Sequence, residues 1–150
     1  MSDADSYFAM DPKVGKGVTG GTYVEVDKDV SAVEFVPGLM FRPVVGNKLM
    51  ANFVRFSPHT EAPVHTHDEE QITLVIEGEF EFDLAGDVRI MRPGMAAVVP
   101  PGVPHGARTH TTSCFEIDVF HPPRQALLEL MRKSGEEAAG TTDPGAAPSG

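Results

Sequence analysis

The chain has 150 residues, which is enough for one packed domain and too few for two ordinary ones. Its formal net charge of -10 argues against a nucleic-acid partner, because such proteins need clustered Lys and Arg. The 15 glycines and 13 prolines favour many short strands joined by turns, so we expect an all-β fold.

The first residues show no feature of a targeting or membrane segment. They lack a basic start followed by an apolar stretch, and the chain contains no apolar run of about 18 residues that would cross a bilayer. Cys114 is the single cysteine, which excludes an intramolecular disulfide and fits a reducing compartment. We therefore expect a cytoplasmic protein with no membrane partner.

The first half of the chain predicts an arm followed by strands. Residues 1–20 are polar and contain several glycines, and we interpret residues 1–30 as an N-terminal arm. Short strands are predicted in SAVEFV, and a longer one in NKLMANFVRFSP ends at Pro58. The alternating stretch QITLVIEGEFEFDLAGD then predicts a hairpin that turns at Glu77 and Gly78.

The second half predicts three more strands and one helix. VRIMRPGMAAVVPPGVPHGA holds two strands separated by Pro-Gly turns, and SCFEIDVF is the last strand. After two prolines, Leu127, Leu128 and Met131 have helical spacing and predict a helix that packs on a sheet. The tail beyond it lacks large apolar residues, so we expect a folded domain over 31–133 and disorder over 134–150.

Three histidines and a glutamine have the spacing of metal ligands. On a strand, His65 and His67 would lie on one face about 6 to 7 Å apart, and Gln71 keeps the same parity. His105 ends the stretch PPGVPH, whose prolines fix a turn that would orient the imidazole. Three imidazoles and an amide oxygen suit one divalent transition metal. A lone His-x-His is weak evidence of a site, and the other histidines are interpreted as surface polar residues: His59, His110 and His121.

Two segments resemble the motifs of the cupin family. HTHDEEQITLVIEG is similar to the first cupin motif, and PPGVPH ends a segment similar to the second. The resemblance implies a cupin barrel, that is, a double-stranded β-helix or jelly roll, with a short C-terminal helix. It also implies one divalent metal, with nickel, zinc, iron and manganese all permitted, held by His65, His67, Gln71 and His105.

A narrower resemblance covers about Val33 to Met131. The stretches HTHDEEQ, PPGVPHGA and DVFHPPR are similar to the KdgF-like small single-domain cupins that act in pectin degradation. That resemblance implies ring opening of 4,5-unsaturated monouronates, with Asp118 as the catalytic residue and with Phe120 and Arg124 contacting the substrate.

The residues permit this chemistry, although they do not require it. Asp118 shares a strand face with Glu116, the alternative carboxylate, and if that face lines the barrel a carboxylate lies near the metal. Asp118 could also be a solvated acid, and Arg124 a surface residue at a helix start. Gln71 in place of an acidic ligand would leave the ion less neutralised and favour a small anionic substrate.

Two other functions share these ligands. An iron-dependent cupin dioxygenase also uses three histidines, and a non-catalytic cupin could bind a small acid or a sugar. A cupin lyase with a tyrosine base is disfavoured, because Tyr7 and Tyr23 lie outside the region of the motifs. We expect a homodimer, because exposed sheet edges have to be covered.

Overall fold

The computed structural model describes residues 20–141, with side chains described as far as residue 135. Within this range the predicted all-β fold is confirmed, because ten strands account for most of the ordered elements. The bounds are α1 (Val26–Asp29), β1 (Val33–Val36), β2 (Leu39–Val45), β3 (Met50–Phe56), β4 (Glu61–His65), β5 (Glu70–Gly78), β6 (Phe80–Leu84), β7 (Asp87–Met91), β8 (Ala96–Val99), β9 (His105–Arg108), β10 (Cys114–His121) and α2 (Gln125–Thr141).

The strands form two antiparallel sheets with the core between them. The large sheet has the order β1-β2-β3-β10-β5-β8, and the small sheet has the order β4-β9-β6-β7. Side chains alternate between the two faces of a strand, so every second residue of β2, β3 and β10 points inward. Phe56 of the large sheet meets Phe80 of the small sheet edge to face, with ring centroids 5.4 Å apart. Aromatic packing of this kind joins the two sheets.

The predicted hairpin between Ile72 and Gly86 is wrong. β5 pairs with β10 and β8 in the large sheet, whereas β6 pairs with β7 and β9 in the small sheet. The chain changes sheets at Gly78, whose φ of +73° is rarely adopted by other residues. A Cβ at this position would collide with the backbone carbonyl of Ser113, so glycine is required there.

The structure describes ordered residues at both ends of the predicted domain. Val30, the last residue of the predicted arm, is buried in the core with 2% exposure. Helix α2 continues to Thr141, so residues 134–141 are not part of a disordered tail. Alanine and glutamate in this stretch favour helix, which explains the continuation. Residues 1–19 and 142–150, the remainder of the predicted arm and tail, lie outside the described range.

The predicted packing of the C-terminal helix is confirmed. Leu127 and Leu128 are buried, Met131 packs against the core, and α2 contacts β1 of the large sheet. Among residues 20–141, no helix is long and apolar enough to cross a membrane.

Candidate functional site

Three imidazoles converge at one end of the barrel, from three different backbone environments. His65 ends β4, His67 lies in the loop between β4 and β5, and His105 begins β9. One ligand nitrogen from each lies within 4.8 Å of the others. The strand parity used above to relate His65, His67 and Gln71 is therefore wrong, because β4 and β5 belong to different sheets. The residues come together because the chain passes between the sheets at this point.

Hydrogen bonds fix which nitrogen of each ring is free to bind a ligand. The Nδ1 atoms of His65, His67 and His105 lie 2.8, 3.0 and 2.9 Å from backbone carbonyl oxygens of Pro63, Glu69 and Val103. A carbonyl only accepts hydrogen bonds, so each Nδ1 carries the proton and each neutral ring presents the lone pair of Nε2. This backbone support was implied for His105 by its turn, and it extends to all three rings.

The free nitrogens and the Gln71 oxygen form a cluster of acceptors. His67 Nε2 lies 3.1 Å from His105 Nε2, and the Gln71 Oε1 atom lies 3.0 and 3.1 Å from these two nitrogens. Four acceptors without a proton among them repel one another unless a cation lies between them. The donor set therefore fits a divalent transition metal, as the sequence predicts.

The ionisation states agree with this donor set. Burial lowers the pKa of His105 to about 4 and also lowers the pKa of His65. Both rings are consequently neutral near pH 7, which is the form that binds metals.

Gln71 links the acceptor cluster to Asp118. Its amide nitrogen donates to the Thr73 hydroxyl at 2.8 Å and to Asp118 Oδ1 at 3.2 Å, which fixes Oε1 toward the histidines. The Thr73 hydroxyl in turn donates to Asp118 Oδ1 at 2.7 Å. A glutamate at position 71 would offer the metal an oxygen but would have no proton for Asp118. The amide of Gln71 can bind the ion through its oxygen and donate to Asp118 through its nitrogen.

Asp118 and Glu116 bring two carboxyl groups to the inner face of β10. Burial raises the pKa of Asp118, while hydrogen bonds from Glu116 and Thr73 and the charge of Arg124 act in the opposite direction. Burial and the neighbouring Asp118 hold the pKa of Glu116 well above its usual range. Glu116 is therefore the protonated partner, and Asp118 is the carboxylate whose charge the site supports.

Arg124 and Phe120 lie beside the histidines. The Phe120 ring packs edge to face against His67, with centroids 5.6 Å apart, and the Arg124 guanidinium lies 5.8 Å from the Phe120 ring. Arg124 Nε is buried and 3.9 Å from the Glu69 carboxylate, with no hydrogen-bond partner among the described residues. The guanidinium thus lines the site and can donate a hydrogen bond to a further acceptor.

One cavity of about 360 Å³ lies between the two sheets, a volume suited to a small ligand, and it is lined by His65, Gln71, His105, Glu116, Asp118, Phe120 and Arg124. The structure thus brings together every residue predicted for the site: His65, His67, Gln71, His105, Asp118, Phe120 and Arg124. The remaining histidines, His59, His110 and His121, are exposed as predicted.

The sequence pattern missed two buried polar residues next to Asp118. Thr73 is fully buried and holds Asp118, and its position two residues after Gln71 places it on the same face of β5. Asn52 is 1% exposed and lies opposite Asp118 in the pairing of β3 with β10. The available signal was a polar residue at an inward position of the strand MANFVRF.

Comparisons with known proteins identify the family of the chain. The chain matches the cupin domain family over residues 52–120. KdgF from Halomonas sp. has 31% identity and a TM-score of 0.66, with coverage of 73% of this chain and 99% of KdgF. An RmlC-like cupin from Shewanella frigidimarina NCIMB 400 has 31% identity and a TM-score of 0.61, with coverage of 65% and 88%.

A third similarity is local. H2HPP isomerase of Bacillus subtilis is 44% identical over 55 residues, which are 36% of this chain and 23% of that protein. The match therefore spans only about a quarter of the length of this curated relative. In contrast, the similarity to KdgF extends over almost the whole of the KdgF chain, and it is present in both sequence and structure. This chain belongs to the cupin family, as its two motifs predict, and resembles KdgF.

Proposed function

We propose that the protein is a metal-dependent enzyme that transfers a proton on a small carboxylate-bearing substrate. The observation that supports this most strongly is the position of Gln71, whose Oε1 lies 3.0 Å from His67 Nε2 and whose amide nitrogen hydrogen-bonds to Thr73 and Asp118. A cation site and a carboxylate of raised pKa in one cavity are the two components that enolisation requires.

The residues of the chain divide this work among them. His65, His67, His105 and Gln71 would hold the ion, and a bound divalent ion would supply a Lewis acid that stabilises negative charge on a substrate oxygen. Asp118 takes a proton from the substrate and returns it at a neighbouring atom. Thr73 and Gln71 orient Asp118 Oδ1, and Arg124 binds the substrate carboxylate.

The KdgF-like form of this reaction is ring opening of a 4,5-unsaturated monouronate. The 31% identity to KdgF supports it, together with the position of Asp118, Phe120 and Arg124 around one site. In this form Asp118 removes the proton of the anomeric hydroxyl. The ring oxygen then leaves as an enolate, and the adjacent carbon is protonated.

The test follows the loss of the conjugated absorbance of a 4,5-unsaturated galacturonate, under air and under nitrogen. Wild-type protein should exceed the spontaneous rate in both atmospheres. Asp118→Asn should lose about 10² to 10⁴ of the rate and keep its metal, because the amide hydrogen-bonds without accepting a proton. Equal rates for Asp118→Asn and wild type would exclude Asp118 as the base. If turnover of this or another acid consumes oxygen, the iron-dependent dioxygenase is favoured instead. If the acid binds but is not turned over, a non-catalytic cupin is favoured.

A further inference from the structure

The cavity has a polar end and an apolar end. Along the inner face of β10, Phe120 lies opposite Gln71, Asp118 opposite Thr73, and Cys114 opposite Phe56. Successive inward residues of one strand are about 6 to 7 Å apart, so the inward residues of β10 extend from the histidine end into the interior of the barrel. Glu116 is the last polar residue of β10 in the cavity lining, and most of the other lining residues are apolar.

Phenylalanines from both sheets surround the apolar end. We call Phe41, Phe56, Phe80 and Phe82 the phenylalanine wall. Phe80 contacts Phe56 and Phe82 with centroid distances of 5.4 and 5.7 Å, and Phe82 stacks at 6.3 Å on His105. Phe35, which is half exposed, extends the wall through its stacking on Phe41 at 5.2 Å.

From this gradient we infer that the site binds a carboxylic acid with an apolar ring more tightly than a polyhydroxylated sugar acid. The inference rests on the proposed proton transfer and specifies its substrate class. The carboxylate and the reacting carbon occupy the end with Arg124 and Asp118, and the ring occupies the space beside the phenylalanine wall. A 2-oxo acid with an aromatic ring is the simplest enolisable member of this class.

The hydrogen-bonding capacity of the cavity explains the preference. A hydroxyl buried against the phenylalanine wall would lose its bonds to water and find no partner there. Among the described residues, two buried side-chain oxygens lack a partner: Asn52 Oδ1, opposite Asp118, and Glu116 Oε2, one inward step further along β10. They serve one or two polar groups close to the reacting carbon, and they do not serve a hydroxyl on every ring carbon.

The proposed reaction on such an acid balances without an oxidant. Asp118 removes a hydrogen from the carbon next to the carbonyl as a proton, and the C–H electron pair forms the enolate double bond while the carbonyl electrons move to oxygen. The reverse step returns a proton to carbon, so the acid exchanges this hydrogen with solvent.

Binding measurements on zinc-loaded full-length protein test the substrate class. Calorimetric titration should give a dissociation constant at least about tenfold lower for phenylpyruvate than for galacturonate. Phe35→Ser should weaken phenylpyruvate binding about fivefold and leave galacturonate unchanged, because it removes apolar contact at a half-exposed position that tolerates substitution. Leu49→Ser, at an equally exposed site outside the cavity, is the matched control and should change neither value.

Exchange of the phenylpyruvate C3 hydrogens in D₂O separates this inference from the proposed function. Tight binding with exchange that is lost in Asp118→Asn supports both. Tight binding without exchange supports the substrate class and contradicts proton transfer. Stronger binding of galacturonate, or phenylpyruvate binding that is unaffected by Phe35→Ser, overturns the inference, and the proposed function then stands if the unsaturated uronate is consumed.

Discussion

Replacing Gln71 by glutamate should separate metal binding from proton transfer. The substitution leaves an oxygen for the ion but removes the amide protons that reach Thr73 at 2.8 Å and Asp118 at 3.2 Å. A second carboxylate then faces Asp118 at hydrogen-bonding distance. We expect Gln71→Glu to bind metal as wild type does and to lose most of its turnover.

The magnitude follows from the two effects on Asp118. Two unit charges about 4 Å apart repel by about 4 kcal/mol at an effective dielectric constant near 20, so the pair retains a proton and Asp118 is no longer a free base. Loss of a hydrogen bond to a charged group costs about 1.5 to 3 kcal/mol more. Since 1.4 kcal/mol corresponds to a factor of ten, the two effects together are large enough to remove the full contribution of a general base, so the rate should fall by about 10⁴, the upper end of that contribution.

Thr73→Val is the matched control. It removes the 2.7 Å hydrogen bond to Asp118 Oδ1 without adding charge, and it should cost about tenfold. Rates are measured by uronate absorbance or by deuterium exchange, and metal content by mass spectrometry of the same samples. Wild-type turnover of Gln71→Glu at full metal content would refute the bridging role of the amide, and so would a larger loss in Thr73→Val than in Gln71→Glu.

Three further substitutions have defined outcomes. Glu116→Gln should make unfolding of the metal-free protein less dependent on pH. Because the pKa of Glu116 is raised in the folded state, the wild type loses stability as pH increases above about 4.5, by up to about 1.4 kcal/mol per pH unit. Urea titrations at pH 5 and pH 8 measure this loss. If the stability of Glu116→Gln relative to wild type does not increase between the two pH values, the prediction is wrong. Gly78→Ala should destabilise the protein by about 2 to 4 kcal/mol, because the added Cβ collides with Ser113. Gly86→Ala, also at positive φ but in open space, is the control and should destabilise it by about 1 to 2 kcal/mol. Equal urea midpoints for the two variants would exclude the collision. Arg124→Lys should weaken calorimetric binding of a carboxylate about tenfold, because it loses the two-pronged geometry, and unchanged binding would remove Arg124 from the site.

The sequence predicted which residues lie close together better than it predicted how the fold brings them together. Local spacing along the chain is enough to recognise His65, His67, Gln71 and His105. The spacing remains valid although these residues do not share one strand. Asp118 was placed correctly because alternation along a single strand, β10, decides which side chains face inward. Such inferences depend on local geometry alone.

The errors concern features that local pattern does not contain. Alternation over residues 72–84 is the same whether two strands pair with each other or lie in separate sheets, so the change of sheet at Gly78 was invisible. Asn52 and Thr73 acquire their roles through cross-strand neighbours distant in sequence. The end of α2 was missed because composition indicated disorder while helix propensity favoured continuation. Homodimer formation stays a prediction.

Every role assigned to the site depends on one ion held by three imidazoles and Gln71. The most direct measurement is the metal content of purified wild type, His105→Ala and His110→Ala after dialysis against a mixture of nickel, zinc, iron and manganese. We predict about one divalent ion per chain in wild type and in His110→Ala, whose imidazole is exposed outside the cluster, and almost none in folded His105→Ala. A wild-type protein without metal, or full occupancy in His105→Ala, would contradict the metal site and the proton transfer built on it.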